Sequence, residues 1–131
     1  MDTSGFYALV VKKDHMHLRA RDILQEASRE RALFVTSDYV LDETATLLNA
    51  RGYAHLLPGF FETLGNSRVC VVEWMDPSRF AETQSQFLKY RDRKWSFTDC
   101  FSFVLMRELR LREALTKDGH FREAGFAALL V

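Results

Sequence analysis

Val69-Cys70-Val71-Val72-Glu73-Trp74-Met75-Asp76-Pro77 decides the fold class of this chain. Its first four residues form a continuous, largely β-branched apolar run, the pattern of a strand buried on both faces. Asp76 then offers a side-chain oxygen to a helix start, and Pro77 suits the first turn, where its missing N–H costs nothing. The resulting strand, tight turn and helix recur upstream. Leu33-Phe34-Val35-Thr36 is a second apolar strand, and Ser37 or Asp38 caps a helix running to about Ala50, with Gly52 as its stop. Between these units, Tyr53 to Leu64 reads as a helix interrupted at Pro58. Further out, Phe6–Val11 opens a helix. A second begins near Asp14 or His15, with Leu18, Ile23, Leu24 and Ala27 as its stripe. Ser96 starts a strongly apolar helix through Leu109, and Ala114–Thr116 and Phe126–Val131 read as the last strands. Strands alternating with helices predict an α/β fold with a parallel sheet covered on both faces. Ligands of such sheets bind beyond the carboxyl ends of the strands.

The 131 residues fit one domain, 1–131, and 47% hydrophobic residues with 11 Phe supply a core, which argues against disorder. Eighteen basic and 18 acidic residues cancel, so global charge gives no support to nucleic-acid binding, although an acidic pocket inside a basic rim sums to the same zero. The basic group Arg91, Arg93 and Lys94 with Trp95 beside it suggests a place to hold phosphates and stack a base. Cys70 and Cys100 lie far apart in apolar company, which speaks for buried hydrophobes rather than zinc ligands or a disulfide. No run approaches a membrane span and no leader is visible, so a cytoplasmic protein without membrane partners is expected.

Four acids stand beside apolar runs: Asp2, Glu43, Asp99 and Asp118. Each has an ordinary structural role. Asp99 completes a capping box with Ser96. Glu43 shares a helix face with Val40 and Leu47 and suits the boundary of a core-facing stripe. Asp118-Gly119 is a turn signal. Asp2 is next to the first residue. His15, His17 and His55 add little, and His120 follows Asp118 closely enough to touch a substrate. An open α/β sheet can bring acids from across the chain to one rim. Converging carboxylates repel unless a divalent cation sits among them, which is the case for metal-assisted phosphate chemistry.

In order and context these acids carry a resemblance. Asp2-Thr3-Ser4-Gly5-Phe6-Tyr7-Ala8-Leu9 resembles the opening motif of PIN-domain proteins, and Asp14-His15-Met16-His17 their next helix start. Ser37-Asp38-Tyr39-Val40-Leu41-Asp42-Glu43-Thr44 is similar to the segment of the second acid. Ser96-Phe97-Thr98-Asp99-Cys100 is similar to that of the third. Leu115-Thr116-Lys117-Asp118-Gly119-His120-Phe121 with Gly125-Phe126 looks like the closing motif. Length and content look most like the toxin components of VapC-type toxin–antitoxin pairs. The resemblance implies a three-layer α/β/α fold with a parallel central sheet and a Mg²⁺- or Mn²⁺-dependent endoribonuclease. It makes Asp2, Glu43, Asp99 and Asp118 catalytic and metal-holding, with Thr3 and Thr116 orienting them. It further implies an RNA substrate, a small antitoxin partner and a homodimer. A stand-alone RNA-processing nuclease and a non-catalytic, protein-binding PIN-like module are the alternatives. The family places a hydrophobic strand before its first acid, and in this sequence only Met1 precedes Asp2.

Overall fold

A computed structural model describes all 131 residues. Helices α1 (Thr3–Val10) and α2 (His17–Arg29) lead into strand β1 (Phe34–Ser37) and helix α3 (Asp38–Ala50). A short 3₁₀ turn (Ala54–Leu56) precedes helix α4 (Leu57–Asn66), strand β2 (Cys70–Glu73) and helices α5 (Pro77–Lys89) and α6 (Phe97–Glu108). Strand β3 (Glu113–Ala114), helix α7 (His120–Glu123) and strand β4 (Ala127–Ala128) end the chain.

The capping chemistry sets the helix starts. The Ser37 hydroxyl accepts the Val40 N–H, and the Asp76 carboxylate accepts the Arg79 N–H. Ser96 and Asp99 complete both halves of their box. Gly52, at φ +83°, takes the left-handed conformation just past the end of α3. Pro58 departs from expectation: it lies in the first turn of α4 and interrupts nothing, because the break falls before it at the 3₁₀ turn. The second helix begins at His17 rather than Asp14 or His15, because the Asp14 carboxylate accepts the Met16 N–H and closes a turn there. The two closing strands are also shorter than the apolar runs that suggest them.

All strand pairing is parallel, as an α/β fold requires. β1 pairs with β2 in the register Phe34↔Cys70 to Ser37↔Glu73, and β3 pairs with β4. The sheet is nonetheless split into two halves, β1–β2 and β3–β4. Residues 1 and 2 bridge them. The Met1 amino group donates to the Val35 carbonyl and the Thr36 hydroxyl donates to the Met1 carbonyl. On the other side the Asp2 N–H donates to the Leu115 carbonyl at 3.2 Å. Behind this bridge the facing edges of the halves border a half-open cavity of about 630 Å³, lined among others by Ile23, Phe34, Val35, Leu105, Ala114 and Leu115.

Helix α1 is the hub of the core. Phe6 packs with Val40 and Phe60, Tyr7 with Val11 and Leu48, and Ala8 with Ala20, Leu115 and Leu130. Gly5 makes this docking possible, since a Cβ there would stand 2.1 Å from the Leu115 carbonyl oxygen. A separate aromatic cluster of Trp95, Phe103 and Phe121 with Cys100 and Met106 holds α6 against α7 and β3–β4.

Candidate metal centre

Three helix starts meet at one rim. Asp2 precedes α1, Asp99 is in the first turn of α6, and Asp118 and His120 flank the start of α7. The partial positive charge of a helix N-terminus favours carboxylates there, and the backbone fixes each one differently. Thr116, at the end of the β3 segment, donates its hydroxyl to Asp2 Oδ2 at 2.8 Å and accepts the Asp118 N–H at 2.9 Å. Ser4 Oγ lies 3.0 Å from Thr116 Oγ1 and 3.3 Å from Asp2 Oδ2, and accepts the Lys117 N–H at 2.8 Å. These two hydroxyls tie α1 to the Thr116–Asp118 loop. Asp99 Oδ2 accepts the Ser96 N–H at 3.1 Å, and Asp118 Oδ1 accepts the His120 N–H at 2.9 Å.

Each of the three acids therefore commits one oxygen to the protein. Asp2 Oδ1, Asp99 Oδ1 and Asp118 Oδ2 accept no hydrogen bond from any protein group. No lysine or arginine pairs with these acids; the one basic side chain beside them is His120. Its Nδ1 lies 3.3 Å from Asp99 Oδ2 and 3.4 Å from Asp118 Oδ1. Ligand atoms of Asp99, Asp118 and His120 all fall within 4.8 Å of one another. Burial pushes the Asp99 carboxyl above the usual range; the Ser96 N–H opposes this, and repulsion from Asp118 and then Asp2 reinforces it. Three carboxylates with free oxygens, mutual repulsion and no paired lysine or arginine are a donor set that fits a hard divalent ion.

The structure thus brings Asp99 and Asp118 within ligand distance of one another, with Asp2 near enough to repel the Asp99 carboxylate. Glu43 stands apart: it is exposed on α3 and has no ion pair or hydrogen bond. It lies one turn beyond Tyr39, whose ring packs on Phe97 and Phe101 around the Asp99 turn. Thr116 takes the orienting role expected of it, whereas the Thr3 hydroxyl is buried without a partner. Trp95 corrects the sequence reading. It is buried against Tyr90 and Phe103 and donates its indole N–H to Glu123, so no base can stack on it. Lys117, next in the chain to Asp118, turns away to bond the Asp14 carboxylate, a link between α1–α2 and the closing loop. Burial raises the Asp14 carboxyl, but Lys117 and the Met16 N–H outweigh it and hold it below its ordinary value.

Ser4 and His120 are the residues whose part here outruns their sequence signal. Ser4 sits two places after the first acid, and His120 two places after the last. Only the hydrogen bonds show what either one touches.

Comparison with known proteins gives the same arrangement a lineage. The PIN domain model matches residues 1–127. A curated relative from Mycobacterium tuberculosis H37Rv, the 23S rRNA-specific endonuclease VapC20, is 31% identical over 126 residues, covering 96% of this chain and 93% of the relative. The same protein from strain CDC 1551 matches equally. The crystal structure of M. tuberculosis VapC20, described as a Sarcin-Ricin loop cleaving toxin, superposes with a TM-score of 0.85 at 29% identity, over 99% of this chain and 95% of that one. With motifs, fold and acidic rim in agreement, the chain belongs to the PIN-domain family.

Proposed function

We propose that this protein is a divalent-metal-dependent endoribonuclease, the toxin of a type II toxin–antitoxin pair. The observation that carries the reading is the convergence of Asp2, Asp99 and Asp118, each with one free oxygen and none paired to lysine or arginine. These three hold the ion, Mg²⁺ or Mn²⁺. Glu43, one turn from the Tyr39–Phe97 contact, joins them when its exposed side chain swings toward the Asp99 turn. A bound divalent ion supplies Lewis acidity, which makes water more acidic and offsets charge on phosphate oxygens.

The chain's own residues do the rest. Thr116 and Ser4 fix the rotamer of Asp2 through Oδ2 and leave its other oxygen free. The capping box fixes Asp99 in the same way. Preorganised ligands of this kind need no rearrangement as charge develops at phosphorus. Burial first, and then repulsion from Asp118 and Asp2, raise the Asp99 carboxyl, and a bound cation relieves that repulsion.

The VapC20 relatives support an RNA substrate, with 23S rRNA as the form to test. They also support a small antitoxin partner, for which an arginine entering the acidic rim is the matching chemistry. Exposed Trp74, Phe80, Phe87 and Leu88 around α5 offer apolar surface for a homodimer. A ribosomal RNA substrate would place its action in the cytoplasm; no helix is long and apolar enough to cross a membrane.

The test is cleavage of purified ribosomal RNA with Mn²⁺, Mg²⁺ or chelator, beside Asp99→Asn. Metal-dependent cutting that the variant lacks is expected. Cutting that persists in chelator or in Asp99→Asn refutes the reading. The split sheet is the one observation that favours a non-catalytic binding module. In that case neither ion would raise the melting temperature, because a ligand that binds only the folded state must stabilise it.

A further inference from the structure

His120 is the one nitrogen donor at a rim otherwise made of oxygens. Its ring is not stacked on any aromatic side chain and takes no part in the core. Nδ1 faces the two acids, at 3.3 Å from Asp99 Oδ2 and 3.4 Å from Asp118 Oδ1. The backbone holds it there, because the His120 N–H is bound to Asp118 Oδ1 at 2.9 Å and α7 begins at this residue. Ligand atoms about 2.1 Å from a common ion stand about 3 Å apart at adjacent octahedral positions. The His120 nitrogen is already close to that spacing from both carboxylates, and the group as a whole spans no more than 4.8 Å. A second role is open to the same ring. Protonated, it would simply be a counter-ion bridging two carboxylates, and a cation would then displace it rather than bind it.

The geometry points to His120 as a direct nitrogen ligand of the ion held by Asp99 and Asp118, which makes the centre selective for Mn²⁺-class transition ions over Mg²⁺. This rests on the metal-dependent reading above and goes beyond it, since that reading assigns carboxylates alone and leaves the two ions equivalent. The selectivity follows from ligand chemistry. Mg²⁺ is hard, takes oxygen ligands and keeps its water, whereas first-row transition ions accept imidazole readily. An imidazole in place of an oxygen therefore costs Mn²⁺ less than it costs Mg²⁺, which shifts the preference toward Mn²⁺.

The experiment is titration of the full 131-residue chain with MnCl₂ and with MgCl₂ by calorimetry, for the parent, His120→Ala, His120→Gln and Asp99→Asn. Pulsed electron paramagnetic resonance of the Mn²⁺-loaded proteins is recorded alongside, and circular dichroism confirms the fold of each. The parent is expected to prefer Mn²⁺ and to show ¹⁴N coupling from a bound imidazole. Both His120 variants should lose that coupling and about tenfold in Mn²⁺ affinity, with Mg²⁺ affinity nearly unchanged. Absence of ¹⁴N coupling in the parent, or equal weakening of both ions in the variants, overturns the inference while leaving a carboxylate centre in place. Stronger Mn²⁺ binding in the variants identifies His120 as a displaced counter-ion and overturns it too. If the parent binds neither ion, or Asp99→Asn binds Mn²⁺ as the parent does, the metal-dependent reading falls and takes this inference with it.

Discussion

Joining four apolar, strand-forming residues to the Met1 nitrogen should stabilise the protein substantially. The cavity between the half-sheets measures about 630 Å³. Strand spacing of about 4.8 Å, rise of about 3.3 Å and sheet packing near 10 Å give roughly 160 Å³ per strand residue, so about four residues fill it. Both walls are strand edges, and residues 1 and 2 already bond to Val35 on one side and Leu115 on the other. A segment continuing backward from Met1 would run parallel to both. Burial of each apolar side chain contributes about 1.5–3 kcal/mol, and ordering each residue costs a similar amount. The margin comes from about five new backbone hydrogen bonds of about 1 kcal/mol each. For a chain of 131 residues, 1 kcal/mol moves the melting temperature by about 3–4 °C, so a rise of about 15 °C is expected. A second signature is independent of this sum. Burial holds the Met1 ammonium below its ordinary value of 8.0, with Cys70 and Asp2 opposing. A base depressed on folding binds fewer protons than in the unfolded chain, so parent stability rises as pH climbs toward 8.0. The extension replaces that ammonium by a peptide N–H and should abolish this slope. Calorimetric melting of both chains from pH 6 to 8 is the assay. No rise in melting temperature, although the slope has gone, would show that the slot is not shaped for a strand.

Asp99→Asn should lower RNA cleavage at least about a hundredfold, as loss of a preorganised charge at a reacting centre does. In metal-free buffer near neutral pH the same change should raise the melting temperature by a few degrees. Burial and the neighbouring acids lift the Asp99 carboxyl in the fold, so its ionisation above 3.8 costs stability that the amide does not lose; differential melting with and without chelator checks both signs. Gly5→Ala drives a methyl to 2.1 Å from the Leu115 carbonyl and must push α1 off the closing segment. A loss of about 3 kcal/mol is expected in urea unfolding, and a neutral result would refute the close approach. Asp14 is held below 3.8, so its bond to Lys117 contributes stability above that value and loses it as pH falls further. Lys117→Met should flatten the acid limb of the stability curve below pH 4 and leave its shape near neutrality unchanged.

How much of this was legible depended on whether a residue's role was local. The starts of α3, α5 and α6 follow from Ser37, Asp76 and Ser96, because a cap is a bond across three residues. Strands β1 and β2 follow from runs of apolar and β-branched residues. The acids Asp2, Asp99 and Asp118 were legible as a set because order and motif spoke where single contexts did not. What the sequence hid was non-local or a matter of direction. Trp95 beside three basic residues looks like a stacking platform until the fold buries it under Glu123. Glu43 shares a helix face with Val40 and Leu47, yet its exposure to solvent cannot be read from spacing. Pro58 marks a helix break in sequence, but whether the break falls at it or before it depends on the turn that α4 leaves.

Slot and proposed metal centre are not independent features. Asp2 is the residue at which they meet: its backbone closes the bridge between the half-sheets, and its side chain reaches Thr116 and the acidic rim. Its position therefore depends on how firmly the chain ahead of α1 is held. The bridge that holds it begins with a buried ammonium, which is costly inside protein. Any change that converts this nitrogen to a neutral N–H should do more than raise the melting temperature. It should narrow the range of positions Asp2 samples, and so strengthen the binding of an ion that needs Asp2, Asp99 and Asp118 at once. The four-residue extension should thus tighten Mn²⁺ binding in parallel with stability, and in the Asp2→Asn background it should stabilise without tightening. If ion affinity ignored the extension while stability rose, Asp2 would be a structural residue of the bridge and the centre would consist of Asp99, Asp118 and His120 alone.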